Sequence, residues 1–260
     1  MQIISFKIID INEDNIESEG LFCKKSKKKE DGYQNKFNWI IERFKENLKY
    51  KLLLVKEPKG FNSRGFIEYV PGEYNWRSID AKGWMVIHCL WVIGKHKKQG
   101  YGLKLLEECI KDAIELGMNG VVGMSAEKSD GLPNKTFFLK YGFTKVDKIK
   151  PSFELYAKPF SDGVSMPKFF PLSTEKVKKY KDGITIIDGH QCPYLQNMID
   201  SIGEFAEING IPFQVKVLKN AQEAQQNGVN AYGIYSIIYN GKVVSQTFPR
   251  RMPEVTDKIN

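Results

Sequence analysis

The stretch WMVIHCLWVIGKHKKQGYGLKLLEEC, residues 84–109, decides the fold. Residues 84–93 are almost continuously apolar, which is typical of a central strand buried on both faces. Residues 103–116 carry apolar side chains at helical spacing and predict an amphipathic helix. The basic segment KKQGYG, residues 97–102, joins the two. Such a loop points backbone N–H groups at an anion and so favours a phosphate site, although a basic surface turn fits the same residues.

The composition of this loop sets what it could bind. Gly100 and Gly102 permit a close approach of the backbone, and Lys97 and Lys98 add positive charge. The loop is not a P-loop, because GxxxxGK[ST] is absent, and its GxGxxG pattern is incomplete. The loop alone therefore does not identify a phosphate ligand, and the elements around it have to be considered.

The flanking sequence alternates strands with helices. Periodicity and turn residues predict an edge strand, an amphipathic helix, two strands, a further strand and a short helix, in that order: 2–11, 36–48, 50–57, 65–72, 119–126 and 136–143. Strands that alternate with helices indicate an α/β (α+β mixed) fold with a mixed sheet between helices.

The order of these elements, with the loop at 97–102 and YGF at 141–143, resembles the GNAT N-acyltransferase superfamily. The resemblance implies a GNAT-type central mixed sheet with flanking helices. It also implies an acyltransferase: an acetyl-CoA-dependent N-acetyltransferase, which passes the acetyl group directly from the thioester to an amine in a ternary complex. Acetyl-CoA would be the cosubstrate and an unidentified amine the acceptor.

The resemblance also implies which residues bind the acyl donor. The end of the apolar strand would line the pantetheine arm and thioester: Leu90, Trp91, Val92 and Ile93. The loop would hold the pyrophosphate, with the last residue just inside the helix: Lys97, Lys98, Gln99, Gly100, Tyr101, Gly102 and Leu103. Lys97 stands where the family usually has Arg or Gln. Phe138 stands where many members have the tyrosine that protonates the leaving thiolate, so the general acid is unassigned.

Two residues are candidates for the catalytic base. Glu68 lies in an apolar strand, where burial is expected to raise the pKa of its carboxyl toward a value that suits a base. The alternative is a position on the solvated face of that strand. His88 lies in the central strand and shares a face with Leu90 by alternation, whereas Cys89 points the other way. The alternative for His88 is a hydrogen-bonded core residue.

A shift in composition between residues 158 and 171 predicts a GNAT-like domain at 1–160, a linker at 161–171 and a smaller domain at 172–260. The last part combines a βαβ pattern with a hairpin. It resembles a thioredoxin-like fold with Cys192 as a possible thiol site at a helix start, where the thiol would be more acidic. Leu195 replaces the second cysteine and Tyr235 the cis-proline of thioredoxins. The combination resembles bacterial YoaP-like acetyltransferases.

The alternative function is a thiol-redox or thiol-binding protein acting through Cys192, with the C-terminal domain as a substrate-recognition module. The missing second cysteine favours the other interpretation of Cys192, an inert cysteine on an inherited scaffold. The four cysteines contain no CxxC pair, which argues against a metal site and favours a reducing, cytoplasmic setting. The sequence shows no membrane-spanning run. The net charge of +8 fits an anionic ligand, and nucleic acid is an unlikely partner because no nucleic-acid motif is present.

Overall fold

The computed structural model describes residues 5–127, 132–172, 174–227, 229–246 and 251–259. The strands in chain order are β1 (Phe6–Ile11), β2 (Lys49–Glu57), β3 (Gly60–Pro71), β4 (Ile79–Asp80), β5 (Met85–Val92), β6 (Gly120–Ala126), β7 (Thr144–Ile149), β8 (Phe153–Pro159), β9 (Lys168–Phe169), β10 (Ile184–Asp188), β11 (Phe213–Val217), β12 (Tyr235–Tyr239) and β13 (Lys242–Ser245). The helices are α1 (Ile16–Glu19), α2 (Asp31–Phe44), α3 (Tyr101–Glu115), α4 (Lys135–Lys140), α5 (Thr174–Lys178), α6 (Leu195–Ile208), α7 (Ala221–Asn227) and α8 (Pro253–Thr256).

A seven-stranded mixed sheet forms the larger part of the molecule, in the order β1-β2-β3-β5-β6-β8-β7. Strands β5 and β6 are parallel, and the other described pairs in this sheet are antiparallel. The apolar run therefore lies at the centre and the N-terminal strand at the edge, which confirms both expectations. A parallel pair needs a crossover connection, and α3 provides it.

The two faces of this sheet are covered by different helices. Ile87 and Val121 belong to a core that includes Leu105 of α3, whereas their neighbours Val86 and Val122 belong to a core that includes Ile40 of α2. Alternate residues of a strand point to opposite faces, so a continuously apolar strand serves both cores at once.

A four-stranded sheet follows in the C-terminal part, in the order β11-β10-β12-β13. Strand β10 is parallel to β11 and antiparallel to β12. The predicted βαβ unit and hairpin are confirmed. The hairpin turns at Asn240 and Gly241, whose φ angles of 46° and 73° are those that an Asn-Gly turn favours.

The two sheets share one continuous hydrophobic core, which includes Val86 of the large sheet and Ile186 of the small one. The segment predicted as a linker contains β9, which pairs with β4 and so holds the segment against the rest of the molecule. A Cβ added at Gly32 of α2 would lie 2.2 Å from the carbonyl oxygen of Pro193, so only glycine permits this approach between the two parts. Among the described residues no helix has the length and apolar character required to cross a bilayer.

Candidate active site

Strands β5 and β6 separate half-way along their length. They pair from Met85 to Ile87 of β5, and β5 then continues to Val92 without β6 beside it. A bulge explains the separation: Glu68 of β3 is paired with Cys89 and Tyr69 with Ile87, so His88 is an extra residue on β5. A bulge bends its strand and frees part of the ladder. The resulting gap opens at the residues expected to line the pantetheine arm.

The glycine-containing loop leads from this strand into α3. Lys97, Lys98, Gln99 and Gly100 are exposed, and no ion pair of Lys97 or Lys98 is found within the described ranges. Gly100 has a φ of 84°, a left-handed conformation, and α3 begins at the next residue. The first N–H groups of a helix have no partner four residues earlier, so the loop presents donors and positive charge together.

The two loop glycines have different roles. A Cβ at Gly100 would meet no atom within 4 Å, so its backbone conformation is what requires glycine. A Cβ at Gly102 would lie 3.1 Å from the ring of Phe137, so there the need is space for an aromatic neighbour. Tyr101 is buried against Phe6, with ring centroids 5.5 Å apart, so its side chain belongs to the core and its backbone to the loop.

A cavity of about 300 Å³ lies at the end of β5, between the large sheet, α2 and the loop that precedes α6. Its wall is largely aromatic and aliphatic and includes a few charged or polar groups. The wall residues that matter here are Lys36, Glu68, Arg77, His88, Cys89, Leu90, Trp91, Gln191, Cys192, Tyr194 and Tyr232. A concave, mostly apolar site with a few polar groups is the usual form of a small-molecule site.

Glu68 lies at the polar end of this cavity and is almost fully buried. The Lys36 ammonium donates a hydrogen bond to its Oε2, and Gln191 Nε2 donates to its Oε1 at 2.6 Å. Burial alone would raise the pKa of this carboxyl, but the Lys36 charge and His88 outweigh burial and hold the pKa at about 2. The expectation of a raised pKa was wrong, because the sequence did not reveal the ammonium from α2.

His88 is fully buried and supports Glu68. The backbone N–H of Trp76 donates to His88 Nε2 at 3.1 Å, and His88 Nδ1 lies 3.5 Å from Glu68 Oε1. In the neutral ring Nε2 accepts, so the proton is on Nδ1 and faces the carboxylate. Burial lowers the pKa of His88 to about 4 even though Glu68 opposes this. Because Nε2 of His88 already accepts a hydrogen bond from the backbone, it is not available to remove a proton from a substrate. The geometry instead suits His88 to orienting the Glu68 carboxylate.

Cysteines contribute to the wall in a way that alternation did not predict. Cys89 lines the cavity beside His88 and Leu90, because the bulge at His88 breaks the alternation that placed Cys89 on the other face. Cys23 and Cys192 also line it. Within the described ranges no three Cys, His, Asp or Glu side chains are grouped to hold a metal ion.

The expectation of an acidic thiol at Cys192 was also wrong. Helix α6 begins at Leu195, three residues later, and burial raises the pKa of the Cys192 thiol even though a backbone hydrogen bond from Tyr194 opposes this. A thiol of this kind is mostly protonated at neutral pH. The hypothesis of a thiol-redox function is therefore not favoured.

Comparison with known proteins now assigns a family. Residues 21–143 match the model of the acetyltransferase (GNAT) family. Over 240 residues the chain is 32% identical to an uncharacterized N-acetyltransferase, YoaP, of Bacillus subtilis, covering 91% of this chain and 92% of that protein. The chain belongs to the GNAT acetyltransferase family. This membership confirms the predictions of an acyltransferase and of acetyl-CoA as cosubstrate.

The comparison also matched solved structures. A GNAT acetyltransferase from Staphylococcus aureus is 15% identical with a TM-score of 0.44, covering 60% of this chain and 100% of that one. The GNAT N-acetyltransferase YhbS from Escherichia coli, in complex with CoA, is 13% identical with a TM-score of 0.39, covering 64% of this chain and 89% of that one.

One position departs from the GNAT pattern for a structural reason. Phe138 is fully buried, its ring stacks on Tyr156 at 5.6 Å, and a Cβ at Gly123 would lie 2.4 Å from it. A side chain enclosed in this way packs the sheet against α4 and supplies no proton. Tyr141 packs edge-on against Phe137.

Three buried polar residues of the cavity wall in this GNAT protein were missed from the sequence. Lys36 lay at the start of the helix predicted over 36–48, and Arg77 and Gln191 were not singled out. All three are at least nine-tenths buried and line the cavity. The one available signal was Lys36 itself: it lies four residues before Ile40 and three residues after Tyr33, on the apolar side of α2, where a lysine needs a buried partner.

Proposed function

We propose that this protein is an acetyl-CoA-dependent N-acetyltransferase in which the acceptor amine binds in the cavity at the end of β5 and attacks the thioester directly. The observation that carries the proposal is the position of Glu68. Its buried carboxylate lies in the same cavity wall as Leu90 and Trp91, the strand end expected to hold the thioester.

The donor end of the site fits acetyl-CoA in shape and charge. Strands β5 and β6 pair only as far as Ile87, so the backbone of the later part of β5 is free of β6 and suits hydrogen bonds to the pantetheine arm. Lys97, Lys98 and the start of α3 provide donors and positive charge for a pyrophosphate. When bound, acetyl-CoA supplies an activated carbonyl carbon as a thioester.

The acceptor end provides for the proton. As the amine nitrogen bonds to the carbonyl carbon it becomes positively charged, and one of its protons has to leave. Glu68 stays ionised at neutral pH because its pKa is about 2, so it attracts and orients the nitrogen as it becomes positively charged. A carboxylate with so low a pKa is a weak base, so a water molecule takes the proton from the nitrogen. The C–S bond then breaks, and water protonates the CoA thiolate. His88 and Gln191 act as positioning residues for Glu68.

The C-terminal part has a structural role in this proposal. Gln191, Cys192 and Tyr194 close one side of the cavity, so the acceptor site is complete only when both sheets are present. We retain residues 1–160, 161–171 and 172–260 as the proposed domains. The parallel pair β10–β11 followed by the antiparallel strands β12 and β13 supports a thioredoxin-like arrangement for the last of them.

The donor site is tested by measuring the binding of acetyl-CoA by calorimetry. We expect Gly100→Glu to abolish binding, because it adds a carboxylate where the pyrophosphate would lie. Gly163→Glu is the matched control: Gly163 is also exposed, has a φ of 77°, and has open space around it. Equal binding by both variants, or no binding by the wild type, would refute the donor site.

Direct attack is tested without knowledge of the acceptor. The protein is incubated with acetyl-CoA alone, and its intact mass is measured. We expect no acetyl adduct, because no enzyme side chain takes the acetyl group. A stoichiometric adduct on Cys89 or Cys192 would instead establish a covalent route.

A further inference from the structure

Arg77 is a buried cation in the wall of the acceptor cavity that lacks an acidic partner. It is only 2% exposed. Its Nη1 donates to the carbonyl of Tyr232 at 3.2 Å and its Nη2 to the carbonyl of His88 at 2.7 Å, and the guanidinium lies 4.5 Å from the centre of the Tyr232 ring. Its Nε has no hydrogen-bond partner. In the part of the chain that the structure describes, no carboxylate lies within ion-pair distance of it.

The other charges of the cavity do not compensate it. Lys36 is paired with Glu68, and His88 is neutral because burial lowers its pKa to about 4. Two cations and one carboxylate leave the wall with one net positive charge. A buried charge without a partner is costly, and carbonyl dipoles and a ring face offset only part of that cost. Arg has five N–H donors in a planar fork that matches a carboxylate, so the unfilled position is suited to an anionic ligand group.

The opposite end of the cavity offers acceptors. Gln191 uses its Nε2 to donate to Glu68, which leaves its buried Oε1 without a partner. Glu68 Oε1 and Gln191 Oε1 are both suited to the N–H groups of an amine. The two ends are close, since His88 contacts both: its ring faces Glu68 and its carbonyl accepts from Arg77. Aromatic side chains, among them Phe66 and Trp91, form much of the remaining wall.

We infer that the acceptor is a small amino carboxylate with an apolar or aromatic body, whose amine lies at Glu68 and whose carboxylate pairs with Arg77. This inference rests on the proposed function, because it takes the cavity to be the acceptor site. A volume of about 300 Å³ fits a ligand of this size.

Binding of matched ligands tests the inference without turnover. Hydrocinnamate and its neutral amide, hydrocinnamide, differ only in the charge of one group, and calorimetry measures their affinities for the protein in the presence of CoA. We expect the wild type to bind the carboxylate about 100-fold more tightly, which is the effect of one desolvated charge pair. Arg77→Gln should remove this preference, and Arg77→Lys should keep a part of it.

Arg43→Gln is the matched control variant. Arg43 is also buried and also lies over a ring, 5.2 Å from Trp76, but it pairs with Glu46 and does not line the cavity. Its loss should leave the preference intact. The inference is overturned if the wild type binds both ligands equally, if it binds no carboxylate, or if Arg77→Gln retains the preference. Should circular dichroism show that Arg77→Gln does not fold, the wild type and Arg77→Lys still decide between these outcomes.

Turnover then separates the inference from the proposed function. Release of CoA is measured with phenylalanine against phenethylamine, and with leucine against isoamylamine. We expect each amino acid to be the better acceptor. Acetylation of the amines but not of the amino acids would overturn the inference and leave the proposed function standing. Failure of the protein to bind acetyl-CoA would refute the proposed function, whatever affinity the protein shows for carboxylate ligands.

Discussion

Removing one partner of the Lys36–Glu68 ion pair should cost far more stability than removing both. Their side chains are 5% and 1% exposed, so either charge left alone is buried without its counter-charge. Such a loss typically costs about 3–5 kcal/mol, whereas replacing both partners is often close to neutral. We therefore expect Lys36→Met and Glu68→Gln each to lower the free energy of unfolding by about 3 kcal/mol, and the double variant to lose far less than the sum.

Urea unfolding followed by tryptophan fluorescence measures the four free energies of this cycle. We expect a coupling energy above about 3 kcal/mol, because the two single losses together far exceed the loss of the double variant. The single variants should stay folded at 25 °C because domains are typically stable by about 5–15 kcal/mol. The pair Lys104–Glu107 on α3 is the matched control: it is a direct Lys–Glu ion pair, 2.9 Å apart, but about half exposed, so its coupling should be under about 0.5 kcal/mol. A coupling energy at Lys36–Glu68 no larger than that of the control pair would refute the prediction that each buried charge depends on its partner.

Three further predictions concern other parts of the molecule. The pKa of His88 is about 4 in the folded protein and about 6.5 when unfolded, so the unfolded state binds the proton first on acidification and stability is lost between these values. Between pH 7 and 5 the wild type should therefore lose on the order of 2 kcal/mol that His88→Gln does not lose, and equal pH dependence would contradict the assignment. Gly123→Ala presses on the Phe138 ring and should lower stability by about 1–3 kcal/mol, with partial recovery on adding Phe138→Leu; no loss in thermal unfolding would show that the site relaxes. The Cys192 thiol should react with iodoacetamide more slowly at pH 8 than a free cysteine does, because burial raises its pKa, and faster reaction would restore the thiol hypothesis.

The donor end of the site could be predicted from the sequence because it is built from one contiguous segment. The apolar run and the helical periodicity of residues 84–116 fixed β5, the loop and α3 to within two residues at each end. Periodicity reports which faces a segment buries, and that information is local. The same reasoning failed at one residue, His88, because alternation assumes an unbroken ladder and a bulge shifts every later side chain.

The charges at the acceptor end could not be predicted in this way. Glu68 is 32 residues from Lys36 and 123 from Gln191, and nothing in the local pattern around any of them indicates the other two. The consequence was an error in sign: a carboxyl in an apolar strand suggested a raised pKa, and the ammonium from α2 lowers it. A pKa depends on the net effect of burial and neighbouring charge, and only the neighbours were unknown.

This difference between the two ends has a consequence for function. The loop at 97–102 takes its donors and its positive charge from its own backbone and side chains, so its fit to a pyrophosphate depends little on the rest of the chain. Glu68 and Arg77, in contrast, acquire their environments from α2, the bulged strand and two loops of the C-terminal part. Under the proposed function, substitutions in the C-terminal part would change which amine is accepted without touching the loop at 97–102. The C-terminal part would act on acceptor choice because its loops supply the Gln191 contact to the carboxylate and the Tyr232 contact to the arginine.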